Sequence, residues 1–145
     1  MTIYDEVTCL QQIPPFAALS PVKQKLLAVV SEHAVYMAGD TIIEQGEAGD
    51  AVYVLLDGVA DVRISSGGES RLVRELGRNA LFGEIAVMKN TPRVASVVAR
   101  TMVHVLRIKK EVLHAMIRDI PELSRGIQQY IDDAGYAIAP APQSA

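Results

Sequence analysis

Residues 82–97 read FGEIAVMKNTPRVASV, with a Gly-Glu pair near one end and Pro-Arg and a serine near the other. The apolar stretch between them is too short for a helix of ordinary length. Gly83 therefore opens one short turn of helix through Glu84, Ile85 and Ala86. The first amides of such a turn lack intrahelical acceptors, and with the helix dipole they attract an anion. Gly83 and Ala86 are small enough to let a ligand approach those amides closely. Pro92 fixes the backbone before Arg93, whose guanidinium suits a forked pair of hydrogen bonds to two phosphate oxygens. Ser96 adds a hydroxyl three residues on. Glu84 lies too near the anion to be another phosphate ligand and is better suited to accept a hydrogen bond from a neighbouring hydroxyl. One anion beside one hydroxyl describes a sugar phosphate.

Outward from this segment the chain reads as short strands. From His33 to Ile108, β-rich runs are punctuated by AGD, GEAGD, LDG, SSGGE and LGRN, which are turn chemistry. Ala60, Val62 and Ile64 alternate with Val59, Asp61 and Arg63, the period of a half-buried strand. Arg71 to Leu76 and Met102 to Ile108 are further strand candidates. Several short strands at close spacing predict an antiparallel β-roll, a jelly-roll-like double-stranded β-helix. On its N-terminal side, Ser20 and Pro21 mark a helix start, and Val22, Leu26, Val29 and Val30 share one face. That pattern predicts an amphipathic helix from Pro21 to about Glu32. On its C-terminal side, Val112, Leu113, Met116 and Ile117 predict a helix over Lys110–Ile120, broken by Pro121. A last helix carries Leu123, Ile127, Tyr130, Ile131 and Ala134 on one face and stops near Gly135. The expected fold class is α+β: a β-roll flanked by one N-terminal and two C-terminal helices. Residues 1–137 form its single domain, and residues 138–145, rich in Ala and Pro, are expected to be a disordered tail or linker.

Bulk properties narrow the function. The chain has 145 residues, half of them apolar, which suits one core rather than two. A formal charge of −3 argues against direct, unspecific nucleic-acid binding. No apolar run approaches the roughly 20 residues that span a bilayer, and the N-terminus lacks a signal-peptide layout. The single cysteine, Cys9, excludes an internal disulfide and fits a reducing, cytoplasmic setting. It has no basic neighbour in sequence to activate it. His33, His104 and His114 lie far apart without metal-ligand spacing, so no metal site is expected. No nucleophile motif or P-loop is present, and no catalytic residue is expected.

The motif resembles that of a known family, the cyclic nucleotide-binding domain shared by cAMP receptor proteins, protein kinase regulatory subunits and cyclic nucleotide-gated channels. Its phosphate-binding cassette looks like F-G-E-[LI]-A, a short spacer, then P-R-x-A-[ST]. Here it is Phe82-Gly83-Glu84-Ile85-Ala86 and Pro92-Arg93-Val94-Ala95-Ser96. Gly46 in QGEAGD and Gly58 in LLDGVADV fall at the family's two turn glycines, and the similarity runs from about Leu10 to Ala134.

The resemblance implies that Glu84 binds the ribose 2′-hydroxyl and Arg93 the exocyclic oxygens of the cyclic phosphate. Amides of Gly83, Ile85 and Ala86 and the Ser96 hydroxyl would complete the anion site. Relatives that favour cGMP often carry Thr or Ser after the cassette arginine. Val94 stands here, implying a cAMP preference with weaker cGMP binding. Arg74 departs from the small or apolar residue usual at a base-facing strand position, and it is a candidate to stack on or bond the purine. Tyr130 is the candidate base cover on the last helix. That helix is either a brace packed on the roll or a mobile lid, and the sequence leaves both open. The expected activity is that of a cAMP sensor that needs no cofactor and signals to an effector domain or partner protein. The alternatives are a degenerate fold kept for docking or oligomerisation, and a DNA-binding regulator. The two C-terminal helices are accounted for by the domain itself, which weakens the last.

Overall fold

A computed structural model describes residues 2–134. The first helix, α1 (Ile3–Leu10), is fixed by a capping box: the Thr2 hydroxyl accepts from the Asp5 amide, and the Asp5 carboxylate accepts from the Thr2 amide at 2.8 Å. A single turn follows, α2 (Pro14–Ala17), started by two prolines. Neither was expected from periodicity, because both are too short to show one. Burial holds them instead: Leu10, Ile13 and Phe16 are wholly inaccessible to solvent.

The third helix, α3 (Pro21–Val30), begins as the sequence indicates, with Ser20 accepting from the Lys23 amide at 3.3 Å. Two expectations for it need correction. It ends at Val30 rather than near Glu32, which already belongs to β1 (Glu32–Tyr36); the Ser31 hydroxyl closes it by donating to the Leu27 carbonyl at 2.6 Å. Its inward face is Gln24, Leu27 and Ala28, and the stripe Val22, Leu26, Val29 and Val30 points outward. Gln24 is held inside by donating to the Phe16 carbonyl at 3.1 Å, which rotates the apolar stripe away from the core.

The roll is then laid down as β2 (Thr41–Ile43), β3 (Ala51–Asp57), β4 (Ala60–Ser66), β5 (Glu69–Leu76) and β6 (Leu81–Phe82). A short helix, α4 (Glu84–Lys89), interrupts it before β7 (Ser96–Ala99) and β8 (Val103–Lys109). Two four-stranded antiparallel sheets result, ordered β1-β8-β3-β6 and β2-β7-β4-β5. The first sheet is a wall between two cores. Tyr53, Leu55, Val103 and Val105 face the interior of the roll, against Ile43, Val62 and Val97. Val52, Val54, Leu106 and Ile108 face the helices. That double burial explains why β3 is apolar at nearly every position.

Two helices close the described chain, α5 (Lys110–Asp119) and α6 (Pro121–Ala134). Leu113 is the fully buried anchor of α5, and Leu123, Ile127 and Ile131 are buried on α6. Gly126 lies where α6 crosses α2, and a Cβ there would meet the Pro15 Cα at 3.4 Å. The Ala/Pro-rich segment 138–145 and the stop expected at Gly135 fall outside the described residues.

Candidate functional site

The cassette sits at one mouth of the roll, where β6 turns into α4 and the chain returns through Pro92 and Arg93 to β7. Gly83 is the N-cap of α4 with φ at 81°, a left-handed conformation that glycine adopts without strain. Space forbids a side chain there too: a Cβ would meet the Arg93 Nη1 at 2.8 Å and the Ile43 Cδ1 at 3.1 Å. No side chain caps the first turn of α4, so its amides are presented to the cleft beside it.

A cleft opens between the two sheets at this point. Gly83, Glu84, Ile85, Ala86, Arg93, Val94 and Ala95 line it, with Arg74 from β5. The structure therefore brings together eight of the ten residues singled out from sequence. Its remaining wall is apolar, from Ile43, Val62, Leu76, Phe82 and Val97. Glu84 and Arg93 keep only 2% and 6% of their surface exposed, rare for charged residues without a dedicated role.

Arg93 is fixed from several sides. Its Nη1 donates to the Gly83 carbonyl at 2.6 Å and its Nη2 to the Ala51 carbonyl at 2.8 Å. A longer contact of 3.5 Å reaches the Asp50 carboxylate, and the guanidinium carbon lies 6.0 Å from the Tyr53 ring centroid. Burial lowers its pKa, against the opposing pull of Tyr53 and Asp50, yet a guanidinium stays charged. Its terminal nitrogens thus donate to Gly83, Ala51 and Asp50. Asp50 is itself held by Arg107, which donates to it at 2.8 Å and to Glu32 at 2.8 Å.

The loop between β2 and β3 aligns the far half of the cassette. The Gly46 amide donates to the Arg93 carbonyl at 2.9 Å, and the Arg93 amide to the Glu47 carbonyl at 2.8 Å. The Gln45 amide donates to the Ser96 hydroxyl at 2.9 Å, so Ser96 is anchored to this loop and is not among the residues that line the cleft. Gly49 belongs to the same device, since a Cβ on it would fall 2.6 Å from the Ala86 Cβ and displace α4. In the sequence GEAGD reads as turn chemistry alone, whereas in the fold Gly49, Asp50 and Ala51 support the cassette. The signal for that is tertiary.

Tyr130 lies apart from the cleft, in a neighbouring groove with Pro14, Pro15, Gly126, Gln129 and Asp133. Arg74 borders both spaces. The Tyr130 hydroxyl accepts from the Leu81 amide of β6 at 3.2 Å, two residues before Gly83. Burial raises its pKa. Two histidines read as unrelated also meet: the His33 Nε2 is 3.1 Å from the His104 Nδ1, and the His33 Nδ1 is 2.9 Å from the Glu6 carboxylate. Among the described residues no three His, Cys, Asp or Glu side chains are grouped to hold a metal ion. Cys9 is buried against Asn79, and burial pushes its thiol up to about 11.

The roll sets a buried arginine and a buried carboxylate beside an uncapped helical turn, and the comparisons agree on its class. The chain belongs to the cyclic nucleotide-binding domain family: residues 33–119 match that domain. This is a family of regulatory binding domains. The chain is similar to cAMP-dependent protein kinase regulatory subunits of Colletotrichum orbiculare (32% identical over 116 residues, 80% of this chain and 29% of the relative) and Aspergillus fumigatus (32% over 133 residues, 92% and 30%). It thus spans under a third of the length of these curated relatives. Among solved structures it is similar to a cAMP-bound mutant regulatory subunit of a cAMP-independent protein kinase A from Trypanosoma brucei. That match has a TM-score of 0.81 at 25% identity, covering 98% of this chain and 50% of that one. The catabolite activator protein of Thermus thermophilus matches with a TM-score of 0.76 at 28% identity, covering 83% and 57%. Among the described residues no helix is long and apolar enough to cross a membrane.

Proposed function

We propose that the chain is a cAMP sensor whose cassette takes the cyclic phosphate between Arg93 and the amides of the Gly83–Ala86 turn. The observation that carries this reading is the pairing of buried Glu84 and buried Arg93 on one apolar cleft beside an uncapped turn. The phosphate is a monoanion, and the charge of one guanidinium matches it. Glu84 accepts from the ribose 2′-hydroxyl, and the apolar wall takes the sugar edge and base. Ser96, bonded to Gln45, acts by fixing the cassette's far end. Val94 supplies no acceptor for the guanine 2-amino group, which favours cAMP over cGMP. Arg74, at the border of cleft and groove, is the residue proposed to meet the purine. No catalytic chemistry and no cofactor enter this reading.

Signal output follows from α6. Tyr130 ties that helix to β6 next to the cassette, so a ligand that shifts Gly83 and Glu84 changes what α6 packs against. The receiver is an effector domain or partner protein in the cytoplasm; the similar chains are named regulatory subunits of a protein kinase.

One observation favours a second reading, a fold kept for docking without nucleotide: a structural neighbour at TM-score 0.81 is described as the subunit of a cAMP-independent kinase. Calorimetric titration with cAMP and cGMP separates the two. The sensor reading expects saturable cAMP binding, tighter than cGMP. Absence of heat and of any melting shift with either nucleotide supports the docking reading.

A further inference from the structure

Helix α3 carries an uncommon arrangement for a surface helix. Its four large aliphatic side chains outside the core, Val22, Leu26, Val29 and Val30, are 77%, 53%, 59% and 48% exposed. They recur at 4, 3 and 1 residue steps, so they form one continuous stripe along a single helical face. The helix contains no acidic residue, and its only charges are Lys23 and Lys25. Neither lysine takes part in a salt bridge among the described residues. The stripe lies on the outside of α3, away from the sheet, whereas the nucleotide cleft opens between the two sheets. Contiguous apolar surface of this kind marks an interaction site, and the helix's own charges beside it are both positive.

We propose that the outer face of α3 is a docking surface for an acidic amphipathic helix of another protein. A row of aliphatic side chains at helical spacing matches the apolar face of a partner helix, as in groove and helix-pair recognition. The two lysines flanking the row select carboxylates on the partner's borders. A second copy of this chain fits worse. Two α3 helices crossed antiparallel about Leu26 would bring four lysines around the symmetry axis, with no acid on either helix to offset them.

The test uses the full 145-residue chain, isotopically labelled for amide NMR. The probe is a designed helical peptide with leucines at 3–4 spacing and glutamates on both borders; its counterpart carries lysine at every glutamate. Expected is a saturable shift of amides in residues 21–30 with the acidic peptide and at least about tenfold weaker binding of the basic one. Leu26→Asp should weaken the acidic peptide at least about tenfold. The double change Lys23→Glu with Lys25→Glu should reverse the preference between peptides. Lys25 and Leu26 are exposed and Lys23 is partly so; unchanged circular dichroism and melting verify the fold, and Val29→Asp serves as an independent apolar variant. The proposal is overturned if the acidic peptide produces no shift in α3, or if both peptides bind equally. It is also overturned by a concentration-dependent dimer that Leu26→Asp abolishes. Sedimentation with phosphatidylserine vesicles, lost in the same variant, would overturn it in favour of a membrane surface.

Discussion

Arg93 is the residue on which the site turns, because it is a buried cation on the wall of the cleft, held by the Gly83 and Ala51 carbonyls. Truncating one side of a buried charge-assisted contact costs about 2–5 kcal/mol. Arg93→Ala is therefore expected to weaken cAMP binding by at least about 30-fold in calorimetry. Glu84→Ala removes a bond to a neutral hydroxyl and should cost less, about 1.5–3 kcal/mol. The order matters more than the values: a Glu84 loss exceeding the Arg93 loss would move the anion away from the guanidinium. These two residues were legible in sequence because their spacing and neighbours are local. Asp50, Gly49 and Gln45 were not, since each acts on the cassette across more than 35 positions of chain, by packing or through hydrogen bonds that no linear pattern encodes.

At the scale of elements, α3 shows how a correct helix can be assigned the wrong face. Its periodic stripe reads as core, yet Leu27 is the inaccessible residue and Leu26 is half exposed. Leu27→Ala should destabilise the domain by about 2–5 kcal/mol, whereas Leu26→Ala should stay within about 0.5 kcal/mol. Urea unfolding of the two variants checks the assignment. Helix α6 turns Leu123, Ile127 and Ile131 inward as expected, and its Tyr130 bonds β6. Tyr130→Phe leaves the partly buried Leu81 amide without its acceptor and should cost about 1 kcal/mol. If α6 is the mobile output, the same change also raises amide exchange across residues 121–134. Exchange that is unaltered there, with and without cAMP, would make the helix a brace.

At the scale of the whole molecule, burial sets the pH response. The Cys9 thiol is raised from 9.0 to about 11 by burial, and burial also raises Tyr36 and Tyr130. Between those pH values the unfolded chain loses the thiol proton while the folded chain keeps it. The folded state then binds more protons, so stability falls as pH rises from about 9 to 11. The thiol alone accounts for up to about 2 kcal/mol, and the two tyrosines act in the same sense from about pH 10 upward. Unfolding free energies at pH 8 and 10.5 should show that drop, and a smaller one in Cys9→Ala. The sequence by itself determined the β-roll, its C-terminal helices and the anion-binding turn, because alternation, turn glycines and the cassette are written within short windows of chain. Only the tertiary structure decided which face of α3 is buried, how α1 and α2 are held, and what supports Arg93. Those outcomes depend on competition for one shared sheet wall. Gln24 gains an acceptor in Phe16, short helices gain a core, and the loop before β3 gains the cassette, none of which exists until the chain has closed on itself.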